Sequence, residues 1–269
     1  MDWARAKSIL IILLTALNMV LAGTILNRSF GGGVDRALYD TIMRILDDRG
    51  VTVLCDLPGN VNSSEILIYG DGARFVEGCA RTLDVSASAR VEMLSRESLR
   101  YTNLRPEEAL ATTSVGALDT AVRRELATKG IDLSDFATDY ATKGGDGNFF
   151  FQYVLDYKGK LVFDSSVSVM VNQSGGITEL TINYREIKAA ARDKLMKVMP
   201  VYQVILKNYY ESGDAISQVN IGFMGQNTSR ENPFIESEEG AVWRMRLDDG
   251  TERFFEAAYG DEIYLYAED

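Results

Sequence analysis

The sequence predicts an α+β fold: an N-terminal transmembrane helix, then an extracytoplasmic region in which helices pack on antiparallel meander sheets. Three observations carry this. Residues 8–26 form a run with no charged side chain, and the stretches from Val34 to Leu46 and from Val115 to Leu126 repeat apolar residues at helical spacing. From Asn148 onward the apolar period changes to two, with turn residues between the alternating runs.

Within residues 8–26 only Ser8, Thr15, Asn18 and Thr24 carry polar side chains, and Arg5 and Lys7 stand just ahead of the run. At about 1.5 Å of rise per residue such a helix matches a hydrocarbon core roughly 30 Å thick. Two readings compete. A cleaved secretory signal would place Val20 and Ala22 before a cut at Gly23; an uncleaved anchor accounts for the apolar run continuing through Ile25 and Leu26. The longer run favours the anchor. Asn18 lies near its middle, where an amide without water seeks a partner on another transmembrane helix, a contact worth on the order of 1 kcal/mol. A short basic head before a long acidic region predicts a cytoplasmic N-terminus and an extracytoplasmic remainder at the cell membrane. Residues 1–7 are then the head, 8–26 the span, and 27–33 (NRSFGGG) a glycine-rich tether.

A membrane-proximal α/β segment follows over 34–112. Its first helix runs from Val34 to Asp48 and stops at Gly50; a short strand spans Val51 to Cys55 and turns at Pro58-Gly59. Ile66 to Tyr69 reads as a strand, Ala73 to Leu83 as a helix and Val91 to Tyr101 as a strand. A first α+β module occupies 113–185. Its helix covers Thr113 to Lys129, with Ser114 as cap and Gly130 as stop. The strands Phe149 to Asp156, Lys160 to Val171 and Ile177 to Tyr184 follow as a meander, interrupted at Asp164 to Ser166. A second module occupies 186–269. Glu186 to Glu211 reads as helical with a break at Pro200, followed by a strand from Ala215 to Phe223 and a polar loop from Gln226 to Gly240. Ala241 to Leu247 pairs with Glu252 to Ala258 through Asp248-Asp249-Gly250, and Ile263 to Tyr266 forms an edge strand.

Chemistry is narrowed by what is missing. The 269 residues include no histidine, which closes Ser–His–Asp and Cys–His catalysis and the HExxH zinc site. A net charge of −11 without a basic stripe argues against a nucleic-acid surface. The loop Lys143 to Asn148 (KGGDGN) lacks the acidic ladder of a calcium site. Carboxylate pairs such as Glu107/Glu108, Glu238/Glu239 and Asp248/Asp249 sit on turns, and no P-loop, GxGxxG or GxSxG occurs. Cys55 and Cys79 leave a disulfide open as one alternative and two free thiols as the other. No catalytic residue, metal or cofactor is expected.

The start Met1-Asp2-Trp3-x-Arg5-x-Lys7, with Leu17-Asn18 inside the span, resembles the YycI (WalI) proteins of Firmicutes. The rhythm of Phe149–Asp156, Leu161–Asp164 and Val167–Val171, and Trp243 with Asp249-Gly250, is similar to that family's later strands. The resemblance implies YycH/YycI-like, PepSY-like modules outside the membrane and a non-enzymatic accessory regulator acting with a YycH-like protein. Its target would be the sensor histidine kinase YycG (WalK) of a two-component system controlling cell-wall metabolism. It places partner contacts on the transmembrane segment, at Trp3, Arg5 and Lys7 as interface anchors and Asn18 as the polar intramembrane group. Two rival readings are a secreted or anchored PepSY-like binding or inhibitory module, and an extracytoplasmic hydrolase working with carboxylates alone.

Overall fold

Two of the four described helices end where glycine permits a left-handed residue. The computed structural model describes residues 36–59, 61–83, 85–106, 110, 114–189, 194–209, 213–225 and 237–264. Helix α1 (Arg36–Asp48) buries Ile42 and Leu46, one turn apart. It closes with Val51 N–H donating to Leu46 O at 2.9 Å and Gly50 N–H to Asp47 O at 2.8 Å, Gly50 standing at φ 72°. That pair of bonds needs a positive φ, which a Cβ disfavours. Helix α2 (Ala73–Thr82) buries Ala73, Val76 and Cys79, and α3 (Val115–Thr128) buries Leu118, Ala121, Val122 and Leu126. Helix α3 stops as α1 does, through Ile131 N–H to Leu126 O at 2.9 Å and Gly130 at φ 76°.

The strands are β1 (Thr52–Val53), β2 (Ser63–Glu65), β3 (Leu67–Gly70), β4 (Ala89–Ser95), β5 (Ser98–Asn103) and β6 (Phe136–Lys143), then the long β7 (Phe149–Tyr157), β8 (Lys160–Val171) and β9 (Ile177–Asn183). The predicted meander is present almost residue for residue. Its first turn is a two-residue hairpin with Lys158 at φ 53° and Gly159 at φ 81°, the arrangement whose twist suits flanking strands. After β10 (Glu186–Ala189), β11 (Leu195–Lys197) and helix α4 (Val201–Asn208) come β12 (Ala215–Phe223), β13 (Ser237–Glu239), β14 (Ala241–Leu247), β15 (Glu252–Glu256) and β16 (Glu262–Ile263).

Among the described residues, eleven strands join in one sheet whose main path is β16-β15-β14-β12-β8-β9-β5-β4. Its join is a fork within β8. Leu161 and Val162 lie parallel to Gly222 and Phe223 of β12, whereas Ser166 to Val171 run antiparallel to β9. Strand β7 follows β8 on the other side throughout, pairing Val154 with Ser166 and Leu155 with Val162. Residues 163–165 are therefore looped out of the ladder, where the sequence shows its apolar alternation interrupted. Both meanders thus belong to one continuous sheet. One face carries a core of Phe151, Tyr153, Val167, Val169, Ile182, Trp243 and Phe255 beneath the helices, and a small second cluster of Met224, Val242 and Phe254 lies apart from it.

One expected element is corrected. The helix expected between Glu186 and Pro200 is replaced by two short strands: β10 pairs antiparallel with β3, and β11 with β2. Glu, Lys and Ala favour helix only by tenths of a kcal/mol per residue, and the open backbones of β2 and β3 supply hydrogen bonds that override this. Helix α4 does begin directly after Pro200. The expected strand at Val91–Tyr101 is resolved into the hairpin β4–β5, and β13 emerges at the end of the expected polar loop, beside β3. The mixed α+β class is observed, with more sheet than helix. The expected span and its residues Trp3, Arg5, Lys7 and Asn18 lie outside the described residues; among those described, no helix is long and apolar enough to cross a membrane.

Candidate functional site

Strand alternation in Ala241–Leu247 sends Trp243 and Met245 into the helix-covered core and Arg244 and Arg246 to the opposite face. That face is concave. Strands β6 and β14 are separated by β7, β8 and β12, roughly 19 Å in a flat sheet at about 4.8 Å per strand. Yet Asp139 of β6 receives Arg244 directly: Nη2 donates to Oδ1 at 2.6 Å and Nη1 to Oδ2 at 2.7 Å. The sheet is curled until its strands meet across the hollow. Asp139 is free to reach inward because it is the extra residue of a bulge between Thr138 and Tyr140.

The bridge belongs to a closed network. Arg246 Nη2 donates to Asp139 Oδ2 at 2.6 Å and to Glu252 Oε1 at 2.5 Å, Arg246 Nη1 to Gln218 Oε1 at 2.9 Å, and Arg244 Nη2 to Asn220 Oδ1 at 2.8 Å. The side chains of Asp139 and Arg244 are 1% and 2% exposed, so the pair is desolvated rather than a surface contact. Burial would push the Asp139 carboxyl up, but the hydrogen bonds and charge of Arg244, with those of Arg246, hold it below the usual carboxylate range. Aromatic rings back the guanidinium planes, Arg244 lying 4.6 Å from the Phe163 ring centre and Arg246 4.8 Å from that of Tyr140. These groups line a cleft of about 580 Å³, with Thr142, Gln152, Val154 and Gly250 completing it.

On the other side of the fork sits a second acid. Phe163 of the looped-out residues points to Arg244, while the neighbouring Asp164 turns away toward Tyr69 and Arg185. Its Oδ2 accepts the Gly225 N–H at 3.1 Å and lies 3.9 Å from Arg185 Nη1; its Oδ1 is buried with no partner among the described residues. Burial dominates here and pushes the carboxyl up to about 6, the Gly225 bond and Arg185 only partly opposing it. Arg185 itself stands 5.2 Å from the Tyr69 ring centre, and burial first, then the Asp164 charge, raises the Tyr69 phenol.

The remaining sequence candidates are accounted for on the structure. In the KGGDGN loop, Asp146 spends its carboxylate on Asn148, Oδ1 accepting the backbone N–H at 3.0 Å and Oδ2 the side-chain amide at 2.7 Å. Among the described residues no group of three or more acidic or cysteine side chains is arranged to hold a metal. Of the two alternatives for the cysteines, the structure has free thiols; burial pushes Cys79 up to about 11, which keeps it an inert thiol. The Asp139–Arg244–Arg246–Glu252 network was not singled out by sequence. Its one signal is the spacing of Arg244 and Arg246, two apart in an otherwise apolar strand, which puts both on one face.

In this cleft two arginines face two carboxylates, so no net charge is left to hold an anion. Each acid is committed to a guanidinium, and the arginines hold the Asp139 carboxyl below its ordinary range, away from a proton-transfer role near neutral pH. What the arrangement offers is a rigid, charge-balanced, aromatic-backed hollow.

No family model matches the chain, and no curated protein matches it. Among solved structures, an uncharacterized protein from Eubacterium rectale is similar with a TM-score of 0.51 at 9% identity, covering 85% of this chain and 99% of that one. The C-terminal domain of Bacillus megaterium YpeB gives a TM-score of 0.38 at 11% identity, over 70% of this chain and 94% of that domain. The first likeness is one of fold.

Proposed function

We propose that this protein is a non-enzymatic, membrane-anchored regulator whose extracytoplasmic α+β region binds a protein partner and whose transmembrane helix biases a sensor histidine kinase. The observation that carries the non-enzymatic part is the closure of the cleft network: Asp139 is locked between Arg244 and Arg246, and Glu252 is held by the same arginines. A carboxylate-dependent hydrolase would need one acid protonated near neutral pH facing a second ionised one. Asp164 has the raised pKa, from burial first and also from the charge of the nearby buried Glu239, but it does not line the cleft, and its Oδ2 is taken by the Gly225 N–H.

The kinase, the YycH-like partner and the cell-membrane location rest on the sequence: the uncharged run at 8–26 behind Arg5 and Lys7, the intramembrane Asn18, and the resemblance of the opening residues to YycI. Trp3, Arg5 and Lys7 set the helix in the interface and Asn18 supplies its polar contact. Asn18→Leu is expected to leave membrane insertion intact and to reduce co-purification with the kinase from detergent-solubilised membranes. Unchanged co-purification would remove Asn18 from the mechanism, and a mature N-terminus at Gly23 by mass spectrometry would remove helix coupling altogether.

A further inference from the structure

On the far side of the fork from the cleft, four distant stretches of chain converge on the Asp164 carboxyl. Gly225, just past β12, donates its N–H to Oδ2 at 3.1 Å; Arg185, just past β9, stands 3.9 Å away and gives its own backbone N–H to the neighbouring Ser165 Oγ at 3.1 Å. Tyr69 of β3 and Glu239 of β13, both buried, face it from the three-stranded sheet β10-β3-β13. Arg185 is shared with Glu97 of the β4–β5 turn, whose Oε2 lies 3.5 Å from Nε. Asp164 therefore has no direct guanidinium bond among the described residues, a like charge beside it and one oxygen without a partner. An enclosed carboxylate so poorly met is costly to ionise, and its carboxyl stands at about 6.

Of the elements around this acid, β13 is held least. It has three residues, Ser237-Glu238-Glu239, with no apolar side chain to give to the core. It lies at the edge of its sheet and pairs with β3 alone, Glu239 opposite Leu67. Glu238 adds an exposed ion pair with Lys194 at 2.7 Å, which contributes little. Its neighbour β3, by contrast, buries Leu67 and Tyr69 completely in the core. Local opening takes the unit with the fewest buried apolar contacts, and that unit is β13. Its departure carries the Glu239 charge away from Asp164 and lets water reach the carboxyl.

We propose that Asp164 is a proton-operated latch on β13: protonated, it keeps the strand against β3; ionised, it favours the strand's release. The sign follows from where the proton is held. A carboxyl at about 6 when enclosed and about 4 when wetted favours the closed strand fully below pH 4, progressively less as pH rises to 6, and by a constant smaller amount above. Over that whole range the open population rises up to about a hundredfold relative to the closed one. The latch goes beyond the regulatory reading and requires neither the kinase nor the transmembrane helix.

The test is amide hydrogen exchange on the full chain in detergent from pH 4 to pH 8, corrected for the intrinsic rate at each pH. The amides of residues 237–239 are expected to be protected at least tenfold less than those of β14, the mark of a local opening. Their protection is expected to fall about tenfold between pH 5 and pH 7.5 and to level off above pH 6. Asp164→Asn keeps the shape of the neutral carboxyl and is expected to abolish that fall. Glu239→Gln removes the like charge and is expected to bring the levelling-off to lower pH, which a merely structural role for Glu239 would not do. Should either variant fail to fold, the profile of the natural chain decides by itself. Protection that is flat from pH 5 to pH 7.5, a fall that survives in Asp164→Asn, or exchange of 237–239 no faster than that of β14 overturns the latch. Loss of kinase co-purification in Asn18→Leu leaves this profile unmoved, so the two readings fail separately.

Discussion

Asp139 and Asp164 flank the same fork in the sheet and are both shielded from water, but their carboxyls are displaced in opposite directions. Asp139 is met by two guanidinium groups at 2.6 to 2.7 Å; Asp164 has one backbone N–H and an arginine no closer than 3.9 Å. Burial penalises both anions, and the number and directness of the donors decides the sign. The first acid holds the curl of the sheet. The second sits where β8 changes neighbours and weakens the fold at neutral pH.

The largest effect is expected from breaking the first pair. Arg244→Met leaves Asp139 buried beside Arg246 alone, and removal of one partner of a desolvated ion pair costs about 3–5 kcal/mol. Urea unfolding at pH 7.5 would measure it; a loss below about 1 kcal/mol would mean that the curl does not depend on this bridge. Asp164→Asn tests the other side. A carboxyl near pKa 6 in the fold and about 4 in the unfolded chain gives stability that is full below pH 4, falls as pH rises to 6, and is lost above. The variant is therefore expected to gain up to about 3 kcal/mol over the natural chain at pH 7.5 and nothing at pH 4. A difference independent of pH would contradict the assigned shift.

Asp139→Asn is expected to cost about 2 kcal/mol at pH 7.5. Because the folded pKa of Asp139 is lowered, its stabilisation is present above the unfolded value near 4 and disappears as pH falls through the folded one, so the deficit shrinks at pH 2.5. Melting curves at both pH values show whether it does. The smallest change belongs to Glu252, one-third exposed at the rim: Glu252→Gln is expected to cost below about 1 kcal/mol, and less in 1 M salt.

Legibility from sequence followed how local the cause was. The stops of α1 and α3 at Gly50 and Gly130, the Lys158-Gly159 turn and the period-two runs of β7, β8 and β9 depend on neighbours in the chain. The interruption after Phe163 shows as broken alternation, without revealing that β8 there exchanges β12 for β9. Strand β6 escapes notice because the Asp139 bulge shifts its pattern by one residue, which reverses every side chain beyond it. The stretch after Glu186 misleads because its composition favours helix while its hydrogen-bond partners lie more than a hundred residues away in β2 and β3.

By itself the sequence determined the α+β class, the ends of α1 and α3, the meander turns, the exclusion of histidine chemistry and the uncharged run at 8–26. Only the tertiary structure decided which face of β14 would be hollow, that Asp139 and Arg244, 105 residues apart, would share a proton-free ion pair, and that β4 would be left at the edge. Local features follow from dihedral preference and apolar spacing within one element. The cleft, the two carboxyl shifts and the open edge follow from sheet curvature and strand order, which arise only when distant strands satisfy one another's backbones.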